Sequence, residues 1–253
     1  MVALHELVGY TDRLLAADEF ADYSPNGLQV EGRPQVRKLV SGVTASLALI
    51  EAAIAAGADA LLVHHGYFWK GEDQRVVGMK RARLAKLLAA DVSLLAYHLP
   101  LDAHPDYGNN VQLAKMLDFA VQGRFGAGGR GPELALWGAL QSPLSATGLG
   151  EHLAARLGRP PLHVAGGPST IRTLGWCTGA AQSFIEAAAS NGLDAFISGE
   201  ISEPTVHVAR ECGIHFFAAG HHATERYGAR ALGAHLGAHF GLEHAFIDID
   251  SPA

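Results

Sequence analysis

Cysteine is scarce in this sequence, and its scarcity excludes two kinds of protein. The 253 residues include only 2 cysteines, Cys177 and Cys212. Two thiols are too few for a disulfide framework or a thiolate metal site. Because low cysteine use is typical of a reducing compartment, we expect a cytoplasmic protein.

Excess positive charge and long apolar runs are missing as well. The chain has 19 Lys+Arg against 25 Asp+Glu, a net charge of -6, and no basic run, so we expect no nucleic acid partner. No apolar run approaches the length of a membrane span, so we expect no membrane partner. The opening stretch MVALHELVGYTDRLLAADEF spaces apolar residues as in an amphipathic helix and lacks the features of a signal peptide.

Three catalytic or nucleotide-binding motifs are not found where they would be needed. The G-x-S-x-G elbow of serine hydrolases does not occur. No GxxxxGK[ST] occurs, and no G-x-G-x-x-G follows the first strand, which argues against P-loop and dinucleotide-binding proteins. The glycine-rich stretch GAGGRGPE, Gly126–Glu133, follows no clear strand in the sequence pattern and is interpreted as a flexible connector.

The chain does contain apolar strands that alternate with Ala-rich helices. Its length suits one large domain or two intimately packed smaller ones. Strands separated by helices are typical of βαβ units and parallel sheets, so the predicted fold class is α/β. In chain order the segments are KLVSGV, SLALIEAAIAA closed by Gly57, ADALLV, MKRARLAKLLAAD and VSLLAY.

The sequence also resembles itself. Leu39–His65 recurs as Leu174–Glu200, and Val92–Asp102 matches His215–Glu225. Similar composition of Ala-rich segments is the alternative explanation. An internal duplication predicts two α/β lobes with mostly parallel sheets, at residues 1–125 and 126–253. The Gly- and Pro-rich segment Phe119–Pro168 is expected to join the halves and to carry one short helix, GLGEHLAARLGRP.

Histidines and carboxylates cluster where the predicted strands end. Because the carboxyl ends of parallel strands meet at one edge of a sheet, these side chains are expected to converge. Imidazole with carboxylate is the ligand set of zinc, manganese, iron and nickel, and the sequence does not choose among them. The residues are His64, His65, His98 and Asp102 from the first half and His221, His222 and Glu225 from the second.

Simpler explanations exist for each pattern taken alone. An adjacent histidine pair is commonly hydrogen-bonded or exposed, and a carboxylate near a helix start is favoured by the helix dipole. Three such patterns, each after a separate buried strand, favour a metal site over coincidence.

The spacing of the two His-x-x-x-carboxylate pairs suggests different local geometries. Residues four apart share a helix face, so His221 and Glu225 could bind one ion if the helix opens near Ala223. Pro100 is expected to prevent a regular helix between His98 and Asp102, which would then converge from a loop.

Charge indicates the chemistry of such a site. Two divalent cations held by neutral imidazoles and by Asp102 and Glu225 keep a net charge of about +2. This excess favours an anionic substrate or a shared water whose pKa is drawn toward neutrality, so hydrolysis is the expected reaction class. His98 or His222 could then transfer protons, and Glu200 could orient a ligand histidine.

Tyr67, Phe68 and Trp69 follow the histidine pair. They could stack on a nucleotide base, or they could belong to the core or to a subunit contact.

Five stretches of the chain resemble one known family. SPNGLQVEG, HHGYFWKGE, HLPLDAHPDYGNN, DAFISGEISE and AGHHATERYG are similar to the bacterial branch of the NGG-interacting-factor-three-like family, whose members are also catalogued as GTP cyclohydrolase I type II homologues. The resemblance covers essentially the whole chain. It implies two interwoven α/β lobes with a dinuclear metal centre in the cleft between them, and a homohexameric ring.

The resemblance also implies site residues and a reaction. The family's ligands fall on His64, His65, Asp102, His221 and Glu225, with Glu225 as the bridge between two divalent ions. His98 is implied to lie close to this centre, as a sixth ligand or a proton relay. The catalogued name implies hydrolytic opening of the GTP imidazole ring with release of formate.

Two functions of different classes are compatible with these residues. One is a dinuclear metal-dependent hydrolase acting on a nucleotide or a similar small anion. The other is a non-catalytic hexameric adaptor that stores, delivers or senses metal. Five ligands shared by two ions leave coordination positions open, which favours the enzyme.

Overall fold

The computed structural model describes residues 1–126 and 133–253, and helices alternate with strands along both ranges. The predicted α/β class is confirmed. The chain divides into two compact units: unit 1 is Met1–Gly108 with Gly228–Asp250, and unit 2 is Asn109–Tyr227 with Ser251–Ala253. The lobe boundaries expected from the sequence stay a prediction.

The elements of unit 1 follow the segments expected from the sequence. Its helices are α1 (Leu4–Leu14), α2 (Leu47–Ala55), α3 (Gly78–Ala90) and α4 (Leu99–Ala103). Its strands are β1 (Val2–Ala3), β2 (Gly27–Val30), β3 (Gln35–Val36), β4 (Lys38–Thr44), β5 (Ala60–His65) and β6 (Ser93–Ala96), with β13 (Glu243–Phe246) near the end of the chain.

A five-stranded sheet in the order β13-β4-β5-β6-β2 organises unit 1. The first three pairings are parallel, and β2 is antiparallel to β6. Neighbouring residues of β5 enter opposite layers of the core, Leu62 on one face and Leu61 with Val63 on the other. This explains the continuous apolar run, since both faces of β5 are covered.

The boundaries of α2 show how the sequence sets the local structure. The Ser46 side chain accepts a hydrogen bond from the backbone N of Leu49 at 3.2 Å, which caps the start of the helix. Beyond the end of the helix, Gly57 adopts a φ of 75°, a left-handed conformation that favours glycine. The glycine stop predicted from the sequence is therefore confirmed.

Unit 2 contains a six-stranded sheet in the order β7-β8-β10-β11-β12-β9. Its strands are β7 (Ala120–Phe125), β8 (Ala135–Leu144), β9 (Leu162–Val164), β10 (Ile171–Cys177), β11 (Ala195–Ser198) and β12 (His215–Ala218). Its helices are α5 (Asn109–Met116), α6 (Ala146–Leu157), α7 (Ile185–Ser190) and α8 (Glu203–Glu211), and α9 (His221–Phe240) starts in unit 2 and ends in unit 1. The pairs β10–β11 and β11–β12 are parallel, and the other pairs are antiparallel.

The expectation that Phe119–Pro168 merely joins the halves was wrong. This segment supplies β7, β8 and β9 to the sheet, besides the predicted helix α6. The strand β7 was missed because it lies at the sheet edge and is largely exposed, so its sequence AVQGRF shows no apolar pattern.

The glycine-rich stretch Gly126–Glu133 begins directly after β7, although the sequence pattern had shown no strand before it. The next described element is a strand, β8, whereas a dinucleotide motif opens a helix. Residues 127–132, on which the predicted flexible connector falls, lie outside the described residues.

No helix within residues 1–126 and 133–253 has both the length and the apolar content of a membrane span.

Asp59 fixes the start of β4 to the strand β5. Its Oδ2 accepts hydrogen bonds from the backbone N atoms of Arg37 and Lys38 at 2.8 and 3.0 Å, and its Oδ1 accepts from Arg33 Nη1 at 2.8 Å. Burial raises the pKa of Asp59, but the hydrogen bonds from Arg37, Lys38 and Arg33 outweigh burial and lower it below its usual value of 3.8. The carboxylate is therefore ionised at neutral pH.

We expect Asp59→Ala to lower the free energy of unfolding by about 1–3 kcal/mol at pH 7, because two backbone N–H groups lose a buried carboxylate as their acceptor. The stabilisation is present above the unfolded-state pKa and is lost as the pH falls through the lowered folded-state pKa. Urea unfolding should therefore show the gap between wild type and variant narrowing below about pH 4. Asp73→Asn, at an exposed carboxylate that bonds only local residues, serves as control and should change stability by less than about 0.5 kcal/mol. An equally small loss for Asp59→Ala would contradict the assignment.

Candidate metal centre

The residues predicted to bind metal or transfer protons form one group in each unit. The unit 1 group consists of His64 and His65 at the end of β5, His98 directly before α4, and Asp102 within α4. The unit 2 group consists of His221, His222 and Glu225, all near the start of α9.

His64 is fully buried, and its ring is oriented by the neighbouring strand. Nδ1 lies 2.9 Å from the backbone carbonyl of Tyr97, which follows β6. A carbonyl can only accept, so Nδ1 carries the proton and donates it. Because Nδ1 carries the proton, Nε2 is the nitrogen that could bind a metal ion. It lies 3.5 Å from Oδ1 of Asp102.

Tyr97 is itself held by a second contact. Its hydroxyl donates to Oδ1 of Asp12 at 2.6 Å. Burial, together with this hydrogen bond and the charge of Asp12, raises the pKa of Tyr97 well above its usual value. The phenol therefore stays protonated, and the carbonyl that orients His64 belongs to a residue fixed at both its backbone and its side chain.

His65 lies beside His64, with ring centroids 4.5 Å apart. Its Nδ1 is 3.1 Å from the hydroxyl of Thr44, the residue paired with it across β4 and β5. A hydroxyl can accept or donate, so this contact orients the ring without fixing its tautomer.

The expectation that His98 and Asp102 converge from a loop was wrong. His98 directly precedes α4 and Asp102 lies one turn later within it, and the backbone N of Asp102 donates to the carbonyl of His98 at 3.1 Å. Pro100 lies in the first turn of this helix, where its missing N–H would have no partner within the helix. Proline therefore permits the helix here, and Asp102 is buried within it.

His98 completes a group of three imidazoles. The His98 ring centroid lies 5.1 Å from that of His64 and 5.7 Å from that of His65. One nitrogen from each ring lies within 4.8 Å of the other two. The Nδ1 atom of His98 is 2.7 Å from Oδ1 of Asp22.

Asp22 was not identified from the sequence. It lies 76 residues before His98, in a loop without a metal-binding spacing, so only the folded chain reveals the pair. Burial raises the pKa of Asp22, but hydrogen bonds from His98 and Asn26, the charge of His98 and the backbone N of Leu99 lower it to about 2. Asp22 is accordingly a carboxylate at neutral pH.

The aromatic residues after the histidine pair have separate roles. Tyr67 is buried and donates its hydroxyl proton to the carbonyl of Ala45 at 2.6 Å. Trp69 packs edge-on against His98, with centroids 5.0 Å apart. Phe68 is 39% exposed and adopts a φ of 65°, a conformation that L-residues rarely adopt. Tyr67 thus belongs to the core, and Trp69 packs against the imidazole group.

In unit 2, His221 lies between two carboxylates. Its Nδ1 is 2.6 Å from Oε1 of Glu200, and its Nε2 is 3.2 Å from Oε2 of Glu225. The helix α9 begins at His221 itself rather than opening near Ala223, so Glu225 lies one turn after His221 on the same face. The predicted role of Glu200 as a partner that orients His221 agrees with this contact.

The two carboxylates determine the protonation of His221. Burial lowers the pKa of His221, but the hydrogen bond and charge of Glu225, followed by those of Glu200, raise it to about 9. Without metal, the ring is therefore an imidazolium at neutral pH. A metal ion that takes Nε2 would have to displace a proton.

Gly179 and His222 lie next to the His221–Glu225 pair. Gly179 has a φ of 67°, and a side chain there would collide with the Glu225 carboxylate. His222 is half-buried beside His221, but consecutive residues of a helix do not share a face, so it is not part of the His221–Glu225 pair.

Comparisons with known proteins find similarity along essentially the whole chain. A family model described as Duf34/NIF3 (NGG1p interacting factor 3) matches residues 2–252. A Pseudomonas aeruginosa protein named GTP cyclohydrolase 1 type 2 homolog is 57% identical over 252 residues, covering 100% of this chain and 99% of that protein. A solved structure described as protein ybgI, of unknown function, is 51% identical with a TM-score of 0.95, and each chain is covered to 100%. A crystal structure of a Thermus thermophilus protein is 33% identical with a TM-score of 0.88, again with 100% of each chain covered.

We expect the imidazole of His221 to titrate with a pKa of about 9 in the chelator-treated protein. Glu200→Gln should lower this pKa, because one of the two carboxylates that favour the imidazolium is neutralised. Long-range proton–nitrogen correlation spectra of the imidazoles, recorded from about pH 5 to pH 10, measure both values. The control is Glu203→Gln, which neutralises an exposed carboxylate paired with His207 and should leave His221 unchanged. A midpoint near the usual value of 6.5, or no response to Glu200→Gln, would contradict the assignment.

Proposed function

This chain belongs to the Duf34/NIF3 (NGG1p interacting factor 3) family, and we propose on that premise that it is a divalent-metal-dependent hydrolase acting on a nucleotide or a similar anionic small molecule. The Pseudomonas aeruginosa relative carries the name GTP cyclohydrolase 1 type 2 homolog. GTP is therefore the first substrate to test, through hydrolytic opening of its imidazole ring with release of formate.

The observation that carries the proposal is the way the imidazole nitrogens are oriented. Nδ1 of His64 is held by a carbonyl, and Nδ1 of His98 and of His221 by a carboxylate. Histidines that bind metal are typically fixed in this way, because the second hydrogen bond sets the tautomer and raises the basicity of the ligand nitrogen. The donor set therefore fits a divalent ion in both units.

We propose that the two groups supply ligands to two divalent ions per subunit in one dinuclear centre. The five ligands would be His64, His65 and Asp102 from unit 1, and His221 and Glu225 from unit 2. The family resemblance implies Glu225 as the ligand shared by both ions. Zinc, manganese, iron and nickel all suit this set. When bound, such ions lower the pKa of water and stabilise negative charge that develops on a substrate.

The residues of the chain would favour an anionic substrate, orient the ligand imidazoles and transfer protons. Asp102 and Glu225 bring two negative charges against the four positive charges of two divalent ions, so they would offset the metal charge only in part and leave a preference for an anionic substrate. Glu200 holds the ring of His221 in place. His98 and His222, which lie outside the set of five ligands, are assigned to proton transfer.

Strand-start contacts in the two units support the proposal of an internal duplication. In unit 1, Asp59 accepts hydrogen bonds from the backbone N atoms of Arg37 and Lys38. In unit 2, Asp194 accepts from those of Arg172 and Thr173 at 2.8 and 2.9 Å. All three positions are shifted by the same 135 residues, as in the sequence repeat. Each aspartate links the start of a strand to the next parallel strand.

The match of Val92–Asp102 to His215–Glu225 differs from the strand register by one residue. Ala60 pairs with Ser93 in unit 1, and Ala195 pairs with His215 in unit 2, so Ser93 corresponds to His215 rather than to Phe216. In strand register, His98 then corresponds to Gly220, and His221 follows one residue later. A shift of one residue changes the direction of a side chain, which sequence similarity alone could not detect.

A homohexameric ring and a cytoplasmic location complete the proposal. The ring follows from the family resemblance, and the location follows from the low cysteine content. Exposed apolar residues at the start of α3, Val76, Val77 and Met79, are a surface that assembly could bury. A monomeric mass in solution would remove the ring from the proposal.

We expect elemental analysis of untagged protein, purified without chelator, to give about two divalent ions per chain. Glu225→Gln should reduce this content sharply because it removes a bridging carboxylate, whereas His207→Gln, at an exposed histidine of α8, should not change it. The metal-loaded protein should hydrolyse at least one member of a nucleotide panel that includes GTP, and Glu225→Gln should lose this activity by a factor of about 100 or more.

The outcomes separate the two candidate functions. Metal content near two with no turnover across the panel would favour the non-catalytic hexameric adaptor. Metal content well below one, unchanged by reconstitution or by Glu225→Gln, would remove both candidates.

A further inference from the structure

A cavity of about 700 Å³, which we call the loop cavity, lies in unit 1. It is lined by the end of α1, by the segment between α1 and β2, and by Phe68 and Lys70 after β5. A volume of this size is typical of small-molecule sites. None of the five proposed metal ligands is among the described residues that line it, so the loop cavity is separate from the proposed centre.

Two aromatic rings of the loop cavity are open to solvent. Tyr23 is 63% exposed and Phe68 is 39% exposed. Both are held in place, because the backbone N of Lys70 donates to the carbonyl of Tyr23 at 2.6 Å and Nζ of Lys80 lies 5.1 Å from the ring centroid of Phe68. The φ of 65° at Phe68 is a strained conformation, and such strain clusters at ligand clamps. The two rings therefore offer stacking surfaces to a planar ligand.

The charged side chains of the loop cavity differ in whether they already have partners. Asp12 and Asp22 accept hydrogen bonds from other side chains of unit 1. Within residues 1–126 and 133–253, the side chains of Asp18, Arg13 and Lys70 form neither a hydrogen bond nor an ion pair. One carboxylate and two cations are thus available to a ligand in the same cavity.

Ser24 adds a buried polar group to the lining. It is only 9% exposed, and its hydroxyl has no hydrogen-bond partner in the described part of the chain. Buried polar groups are normally hydrogen-bonded, so a hydroxyl of this kind indicates that the cavity takes a polar ligand.

The available groups match the edge of a guanine base. This edge carries two neighbouring N–H donors, which a carboxylate such as Asp18 accepts, beside a carbonyl oxygen, which Arg13 or Lys70 can bind. Adenine instead presents a ring nitrogen with a lone pair, which a carboxylate repels. Because its acidic side chains outnumber its basic ones, the loop cavity suits a donor-rich base better than a phosphate.

We propose that the loop cavity binds the base of a guanine-type purine nucleotide, stacked on Tyr23 and Phe68, with its N–H donors directed to Asp18. The inference rests on the proposed function, because it takes the ligand to be the proposed nucleotide substrate. It names the part of that substrate that unit 1 recognises and leaves the phosphates outside the cavity.

The loop cavity lies beside His98. Asp22 and Asn26 both line the cavity, and both hold His98, through its Nδ1 at 2.7 Å and its backbone N at 2.8 Å. The ring centroids of Tyr23 and His98 are 6.4 Å apart. A base bound in the cavity is therefore a neighbour of the unit 1 group.

Calorimetric titration of the purified full chain with guanosine, inosine and adenosine measures recognition of the base without a phosphate. We expect guanosine to bind about 10-fold or more tightly than adenosine, because hydrogen bonds to a charged group are strong and adenine cannot form both. Inosine lacks the amino group of guanine and should fall between the two. Equal affinities for guanosine and adenosine would overturn the proposal.

Matched variants assign the recognition to particular side chains. Asp18→Asn should weaken guanosine binding about 10-fold and remove the preference over adenosine. Glu19→Gln, at an exposed neighbour outside the cavity lining, should change neither. Tyr23→Leu should weaken all three nucleosides by about 5-fold or more, whereas Tyr23→Phe keeps the ring and should retain binding.

Three results would overturn the inference. The first is an equal loss in Asp18→Asn and Glu19→Gln, and the second is unchanged binding in Tyr23→Leu. The third is protection of Tyr23 and Phe68 from solvent in the assembled protein with no guanosine bound at about 1 mM, which would make them a subunit contact.

The proposed function fails in a different way. Selective guanosine binding without turnover of any nucleotide would contradict the proposed function alone. Turnover that is unaffected by Asp18→Asn and by Tyr23→Leu would contradict only the present inference.

Discussion

The hydrogen bond from Nδ1 of His64 to the carbonyl of Tyr97 is the contact on which the unit 1 site depends. An imidazole with no exposed surface must have a partner, because an unsatisfied buried polar group is costly. The partner lies just beyond the neighbouring parallel strand, so sheet register decides which nitrogen faces Asp102. The position of His98, one residue after Tyr97, follows from the same register.

His64 and His65 are oriented by different chemistry from His221. In unit 1, a carbonyl orients His64 and a hydroxyl orients His65, and neither brings a negative charge. In unit 2, carboxylates contact both nitrogens of His221 and make it strongly basic. His98 is also held by a carboxylate, that of Asp22. A metal ion that binds Nε2 of His221 would have to displace a proton, which would link ion occupancy there to pH.

Sequence patterns predicted the features that rest on buried strands and helical spacing, and they missed the features that leave no periodic signal. The apolar run before His64 and the helical spacing of His221 and Glu225 were sufficient to place these residues. Asp22 could not be found, because a carboxylate 76 residues from its partner leaves no periodic signal. Pro100 was misinterpreted because its effect depends on position, and its place in the first turn was unknown. The strand β7 was missed because an exposed edge strand needs no apolar alternation.

The complete burial of His64 limits which reagents in solution can reach it. A side chain with no exposed surface reacts with a histidine-modifying reagent only when the surrounding strands open locally, and such openings are rare in the core of a sheet. The neighbouring His65 is partly exposed and needs no such opening. Two adjacent histidines of one strand therefore differ in chemical accessibility, and only His64 reports on the opening of the sheet.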